Sequence, residues 1–245
     1  MTDSGINKTQ HFAYEALRML ALTRNYNKWI YETFKDFLAG KNVLEVGCGI
    51  GNLSQYFLKS CSRLIGIDNS SFFTQHLKID HPEIEAYNFD ITDDKVTSLS
   101  DKKTEVVIAI NVLEHIKDDD KALQNMHKLL QPDGRLLLFV PALGWLFGTL
   151  DENVGHCRRY GKKDLRDKVE RNGFAVDEIF FSNFFGIFGW FINGKIFKRK
   201  SFPIMQPILF DKFVPFLSKL EGYFRPGIGM NLIVIARKNE RKHCP

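Results

Sequence analysis

Val43-Leu44-Glu45-Val46-Gly47-Cys48-Gly49-Ile50-Gly51-Asn52 is the stretch on which the fold turns. A short apolar run reads as a buried strand, and three glycines at alternate positions then break it before a helical pattern (Leu53, Tyr56, Phe57) begins. Glycine serves where a backbone must take positive φ or lie against a ligand with no side chain between them. Asn52 stands where a dinucleotide fingerprint would carry its third glycine, the one that lets helix and strand pack closely beneath a pyrophosphate. That departure disfavours a nicotinamide dinucleotide. Glu45, just ahead of the turn, adds a carboxylate, which suits a nucleoside carrying a positive tail.

Upstream, Leu22, Tyr26, Trp29, Ile30, Phe34, Phe37 and Leu38 recur at helical spacing, so residues 1–40 read as a helical cap closed by Gly40. Downstream, strands are expected at 43–46, 64–67, 84–88, 105–110 and 135–140. Helices between them start at Ser70/Ser71 and at Asp118-Asp119-Asp120, where negative charge suits a helix N-terminus. Strands alternating with helices predict an α/β fold with a parallel, Rossmann-like sheet and right-handed crossovers. The polar stretch 151–172 is expected to end in a helix stopped by Gly173, followed by strands at 174–181 and 232–236 around an aromatic-rich insertion, 182–226. One domain is expected, with 41–140 as the cofactor half and 141–245 as the acceptor half.

At 245 residues, with 44% hydrophobic and 26% charged side chains, the chain has material for a full core. A net charge of +5 is too mild to imply nucleic acid without a clustered patch, so no such partner is expected. Cys48, Cys61, Cys157 and Cys244 show neither pair nor metal spacing, and no secretory leader pattern is present. A reduced, cytoplasmic protein is expected. The longest nearly apolar stretch, 179–192, is shorter than the roughly 20 residues a membrane span needs.

Ligands of an open parallel sheet bind outside the carboxyl ends of its strands. The second strand ends in Ile67-Asp68-Asn69, where a carboxylate can accept both ribose hydroxyls of an adenosine, each charged hydrogen bond contributing roughly 1.5–3 kcal/mol. The third ends in Phe89-Asp90-Ile91, where Asp90 can accept from an adenine amino group between apolar neighbours. The fourth ends in Asn111-Val112-Leu113-Glu114-His115, placed to run beside the tail. S-adenosylmethionine fits this set. Taken singly, each residue has a plainer use: Asp68 and Asp90 as caps or loop acids, Glu45 as a strand-end acid, His115 as a structural hydrogen-bonder. Their joint order carries the weight.

These motifs resemble the class I S-adenosylmethionine-dependent methyltransferases over about residues 26–140: 43–51, Gly66-Ile67-Asp68, Phe89-Asp90-Ile91, 111–116 and Leu129 to Leu138. The resemblance implies S-adenosylmethionine as cofactor. It also implies a seven-stranded, mostly parallel sheet with helices on both faces and its last strand, 232–236, antiparallel beside 174–181. Cofactor contacts are then expected at Glu45, Gly47, Cys48, Gly49, Gly51, Asp68, Asn69, Asp90, Ile91, Asn111 and Val112.

A second stretch, Asp151-Glu152-Asn153-Val154-Gly155-His156-Cys157-Arg158-Arg159-Tyr160, resembles a subgroup associated with glycan and polyprenyl-linked glycolipid assembly. Tyr26-Asn27-Lys28-Trp29 fits the same subgroup, while Cys157 replaces a more usual aromatic residue. Substrate contacts are expected at Glu114, Arg158, Arg159 and Tyr160; a loop held by an Asp–Arg pair is the plain alternative. A hydroxyl acceptor must lose a proton, which calls for a base, His156 ahead of His115. Methylation of nitrogen or carbon, or a catalytically silent S-adenosylmethionine-binding scaffold, stay open. Asp118–Asp120 read as a helix start, so no metal is expected. Residues 179–216 hold eleven of the 22 phenylalanines, together with Trp190 and a basic run at Lys195, Lys198, Arg199 and Lys200. They read as a lid over an apolar acceptor, a peripheral membrane surface through 182–202, or a satellite core or homodimer face. The acceptor is accordingly a small molecule, a sugar or a lipid-linked group.

Overall fold

The structure, a computed structural model, describes residues 8–199 and 205–239. The N-terminal helical region is two helices, α1 (Lys8–Ala21) and α2 (Arg24–Leu38), broken at Leu22-Thr23; residues 1–7 lie outside those described. The face of α2 at three- and four-residue intervals, Asn27, Ile30, Phe34 and Leu38, is the buried one.

The chain then runs β1 (Asn42–Val46), α3 (Ser54–Phe57), β2 (Arg63–Asp68), α4 (Ser71–Asp80), β3 (Glu85–Asn88), β4 (Thr104–Ile110), α5 (Asp119–Leu129), β5 (Leu130–Pro141), α6 (Thr149–Val154), α7 (Lys162–Arg171), β6 (Phe174–Ser182), α8 (Gly186–Phe191), α9 (Met205–Phe224) and β7 (Asn231–Lys238). The seven strands form one sheet in the order β3-β2-β1-β4-β5-β7-β6. The first five are parallel, and β7 inserts antiparallel between β5 and β6. Strand order reverses between β1 and β4, so the glycine turn and the Asn111 segment flank one crevice at the carboxyl edge.

Both faces of the sheet are covered, and the strand period of two divides β1 between them. Leu44 and Val46 join one core with Ile65, Val107 and Leu136; Val43 joins the other with Phe34, Leu64 and Ile108. Asp118 caps α5 as its position suggested, accepting from Lys121 N at 3.0 Å.

The described residues of the 182–226 insertion fold mainly as two helices, α8 and α9. Past Phe191, α8 continues through a π-helical turn, Ile192–Ile196. The 20-residue α9 is built inside out: its buried residues are Asp211, Val214 and Glu221, while Leu209, Phe213, Phe216, Leu220 and Tyr223 are exposed. The two acids have partners. Asp211 accepts from Tyr26 N (2.8 Å) and Asn25 N (3.2 Å), capping α2 from a distance. Glu221 accepts from Asn183 N (2.9 Å) and Phe184 N (2.8 Å), holding the chain into α8. No helix among the described residues is long and apolar enough to cross a membrane.

Candidate active site

The glycine turn is tight because three successive alternate residues adopt a conformation that side chains resist. Gly47, Gly49 and Gly51 have φ of +74°, +52° and +88°. Space is short as well: a Cβ on Gly47 would stand 2.3 Å from Val112 Cγ2, and one on Gly51 2.6 Å from Leu77 Cδ1. The turn hangs from β2, with Gly47 N and Cys48 N both donating to Ile67 O. Cys48 is buried, and burial, with Glu45 and Asp68 adding to it, pushes its thiol far out of the thiolate range.

Asp68, at the end of β2, accepts from Gly49 N at 3.0 Å on one oxygen and from Ser70 N at 2.9 Å on the other. Burial raises its carboxyl and these two N–H groups oppose that rise. Each carboxylate oxygen can accept a second bond, so capacity remains for a pair of ribose hydroxyls. Bare glycines and a neighbouring acid therefore fit an adenosyl group; Gly47, Gly49, Gly51 and Asp68 would hold it. Glu45 lies beneath the turn instead, buried, with Ser54 Oγ donating to it at 2.5 Å. Burial pushes its carboxyl up to about 8, so its contact with a ligand would run through the turn. Helix α1 reaches this region too: Asn52 Nδ2 donates to Leu17 O at 2.7 Å, and Leu17 lies over Gly49. A backbone carbonyl leaves no mark in the sequence, so this cover was not legible there.

The other expected cofactor residues line the same edge. Asn69, Asp90 and Asn111 are exposed, and Ile91 is buried. One oxygen of Asp90 closes a local turn through Thr92 N (2.8 Å) and Thr92 Oγ1 (2.7 Å). Asn111 has φ +52°, a conformation Asn tolerates better than most residues, which gives its identity a backbone reason. Val112 packs on Gly47 and so joins the two sides of the crevice.

Beyond β5, the loop through α6 converges on Asp151, which is fully buried. His156 Nδ1 and Arg159 Nε both contact its Oδ1 at 2.8 Å; Gly148 N and Trp190 Nε1 donate to its Oδ2 at 3.0 Å. The Arg159 guanidinium also lies over the Trp190 ring, 4.7 Å from its centroid, and donates to Ala142 O. With Nδ1 committed to Asp151, His156 presents Nε2 to Glu114 Oε1 at 3.8 Å. His115 packs its ring edge-on against His156, 4.7 Å away. Glu114 itself is fully buried and neither carboxylate oxygen has a hydrogen-bond partner among the described residues. Burial lifts its carboxyl to about 8. Sequence reasoning named Glu114, His115 and His156, but Trp190 appeared there only as one aromatic among many.

The remaining expected substrate residues hold the loop. Arg158 pairs with Asp119 (2.7 Å) and donates to Lys117 O (2.8 Å). Tyr160 is buried, and its hydroxyl donates toward Leu113 O (3.1 Å) and Asp119 Oδ2 (2.8 Å). Arg159 supports Asp151 rather than opening to solvent. A separate cleft of about 470 Å³, lined by Asp36, Lys41, Glu105 and Asp133, lies at the amino edge of the sheet, away from these groups.

The family described as a methyltransferase domain matches residues 14–179. A Mycolicibacterium smegmatis protein named as a probable S-adenosylmethionine-dependent methyltransferase is 25% identical over 151 residues, 61% of this chain and 58% of the relative. A ubiquinone biosynthesis O-methyltransferase of Coxiella burnetii is 30% identical over 118 residues, 47% of this chain and 46% of the relative. The chain thus spans about half the length of the curated relatives it matches. Among solved structures, an S-adenosylmethionine-dependent methyltransferase from Mesorhizobium loti aligns with a TM-score of 0.55 at 14% identity, covering 82% of this chain and 92% of the other. A TehB-like enzyme from Corynebacterium glutamicum aligns at 0.56 and 19%, covering 95% and 98%. These likenesses share the fold.

Proposed function

The chain belongs to the class I S-adenosylmethionine-dependent methyltransferases, and we propose that it methylates an oxygen on a lipid-linked or otherwise amphiphilic acceptor. Bound S-adenosylmethionine supplies the electrophilic methyl group. The glycine turn and Asp68 orient the adenosyl end, and the 111–115 segment borders the reacting end.

The observation that carries oxygen as the acceptor atom is the Asp151–His156 contact at 2.8 Å. A carboxylate on Nδ1 fixes the tautomer, so Nε2 is left as a proton acceptor on the side of Glu114 and His115. His156 is accordingly the base, with His115 packed against it. The naming of one relative as a ubiquinone biosynthesis O-methyltransferase supports the same reading.

The amphiphilic acceptor is favoured by the surface of α8 and α9. Phe188, Phe191, Ile192, Phe213 and Phe216 are exposed there. The segments 183–199 and 205–225 carry only two acids, Asp211 and Glu221, and both are buried. The charges they expose (Lys195, Lys198, Arg199, Lys212, Lys219, Arg225) are all positive. Apolar rings ringed by cations suit an anionic lipid surface, so peripheral membrane contact through 182–199 and α9 is part of the proposal. Residues 200–202 of the expected contact lie outside those described. Incubation with methyl-labelled cofactor and a cell lysate split into lipid and aqueous phases tests the acceptor. Label in the lipid phase that vanishes with His156→Ala is expected; label confined to the aqueous phase contradicts the amphiphilic acceptor.

A further inference from the structure

Glu114 is fully buried, and neither of its oxygens has a hydrogen-bond partner among the described residues. Such a group is held in the interior only by a proton or by a cation. Arg159 is already committed to Asp151 and Ala142 O. What faces Glu114 instead is imidazole. His156 Nε2 lies 3.8 Å from Glu114 Oε1, too far for a hydrogen bond. One donor atom from each of Glu114, His115 and His156 falls within 4.8 Å of the others. Two ligands on one tetrahedral zinc ion, with bonds near 2.0–2.1 Å, stand about 3.4 Å apart, so a small contraction of these side chains would place all three on a single ion.

We propose that Glu114, His115 and His156 bind one divalent transition-metal cation of the zinc, manganese or iron type. Two imidazoles and one carboxylate match those ions better than magnesium or calcium, which favour oxygen-only sets. The surroundings are those of a metal site as well. Asp151 takes the Nδ1 side of His156 at 2.8 Å, leaving Nε2 as the ligand atom. Three protein ligands would leave a fourth position of a tetrahedral ion for a further ligand. An acceptor oxygen can fill it, so the cation deepens the proposed methylation of oxygen: with Nε2 on the ion, His156 would hold the cation instead of acting as the base, and the cation would ease loss of the hydroxyl proton to solvent. This assignment rests on that reading for the acceptor, though not for the metal itself, and it replaces the expectation of no metal drawn from sequence.

The test is a titration of the chelator-stripped full chain with Co²⁺ followed by its visible absorption, and with Zn²⁺ by calorimetry. One equivalent of either ion is expected, with ligand-field bands of histidine and carboxylate coordination. Removing an outer-shell partner of a metal site typically weakens binding about 10–100-fold, and Glu114→Gln or His156→Ala, which remove ligands, should weaken it at least as much. Cys157→Ser, next door but outside the set, should leave it unchanged. Added Zn²⁺ should raise the melting temperature of the wild type and leave that of Glu114→Gln unchanged. Binding insensitive to Glu114→Gln, binding lost with Cys157→Ser, or no binding at all would overturn the assignment. S-adenosylhomocysteine is titrated into the same samples: cofactor bound without metal refutes the cation alone, and metal bound without cofactor refutes the methyltransferase reading alone.

Discussion

Asp151→Asn exchanges one oxygen for an NH₂ group at a carboxylate that receives donors on both sides. If the amide nitrogen replaces Oδ2, it faces Gly148 N–H and the Trp190 indole N–H; if it replaces Oδ1, it faces His156 and Arg159. No rotamer serves all four. The first arrangement orphans the Gly148 N–H, at about 1–3 kcal/mol, and in either case Arg159 loses its counter-charge in a buried place, where breaking a pair costs about 3–5 kcal/mol. The terms overlap, so a loss of about 3–5 kcal/mol is expected. A domain stable by about 5–15 kcal/mol would still fold. Urea denaturation should show a lower midpoint at an unchanged slope, and Arg159→Met should recover part of the loss by removing the uncompensated cation. A loss below about 1 kcal/mol in the single variant would refute the picture of Asp151 as the hub of this loop.

Three further outcomes follow from the same geometry. Gly47→Ala forces a side chain into φ +74° and within 2.3 Å of Val112 Cγ2; cofactor affinity should fall at least tenfold, and Val112→Ala should restore part of it, so an unchanged Kd in calorimetry would speak against the packing described. Glu45 is raised to about 8 in the folded protein, so the native state holds its proton after the unfolded chain has released it, and wild-type stability drains away as pH climbs from about 4.5 to 8. Glu45→Gln should be nearly level with wild type near pH 5 and ahead by roughly 4–5 kcal/mol at pH 8.5; parallel pH–stability curves would count against a buried, protonated Glu45. The pair Phe213→Ser and Phe216→Ser should abolish co-sedimentation with phosphatidylglycerol vesicles while leaving circular dichroism unchanged, each ring contributing about 1.5–3 kcal/mol of burial; equal sedimentation of variant and wild type would remove the lipid surface.

The parts that were legible in sequence are those where local pattern and global fold agree. Val43–Val46 followed by three glycines could be little else than a strand and a tight turn, and the acids and Asn111 at later strand ends fell on one edge because the topology puts every strand end there. The position of β7 between β5 and β6 came from family likeness, since its residues do not encode their neighbours. Helix α9 was hidden for a physical reason. Its acids point inward to cap two other chain segments and its phenylalanines outward, the reverse of the pattern by which an amphipathic helix is recognised. Trp190 was equally opaque: its bond to Asp151 spans 39 residues, and nothing local marks it. Arg158 and Tyr160 show the opposite case, polar residues in a suggestive motif that the structure commits to Asp119.

The central claim is that the glycine turn and Asp68 hold an adenosyl donor. Parallel calorimetric titrations of the wild type with S-adenosylhomocysteine and with NAD test it most directly, repeated on Asp68→Ala after its fold is verified by circular dichroism. Saturable binding of S-adenosylhomocysteine alone, weakened severely in the variant, is the predicted result; binding of NAD instead, or an Asp68→Ala protein that binds S-adenosylhomocysteine as tightly as the wild type, would contradict it.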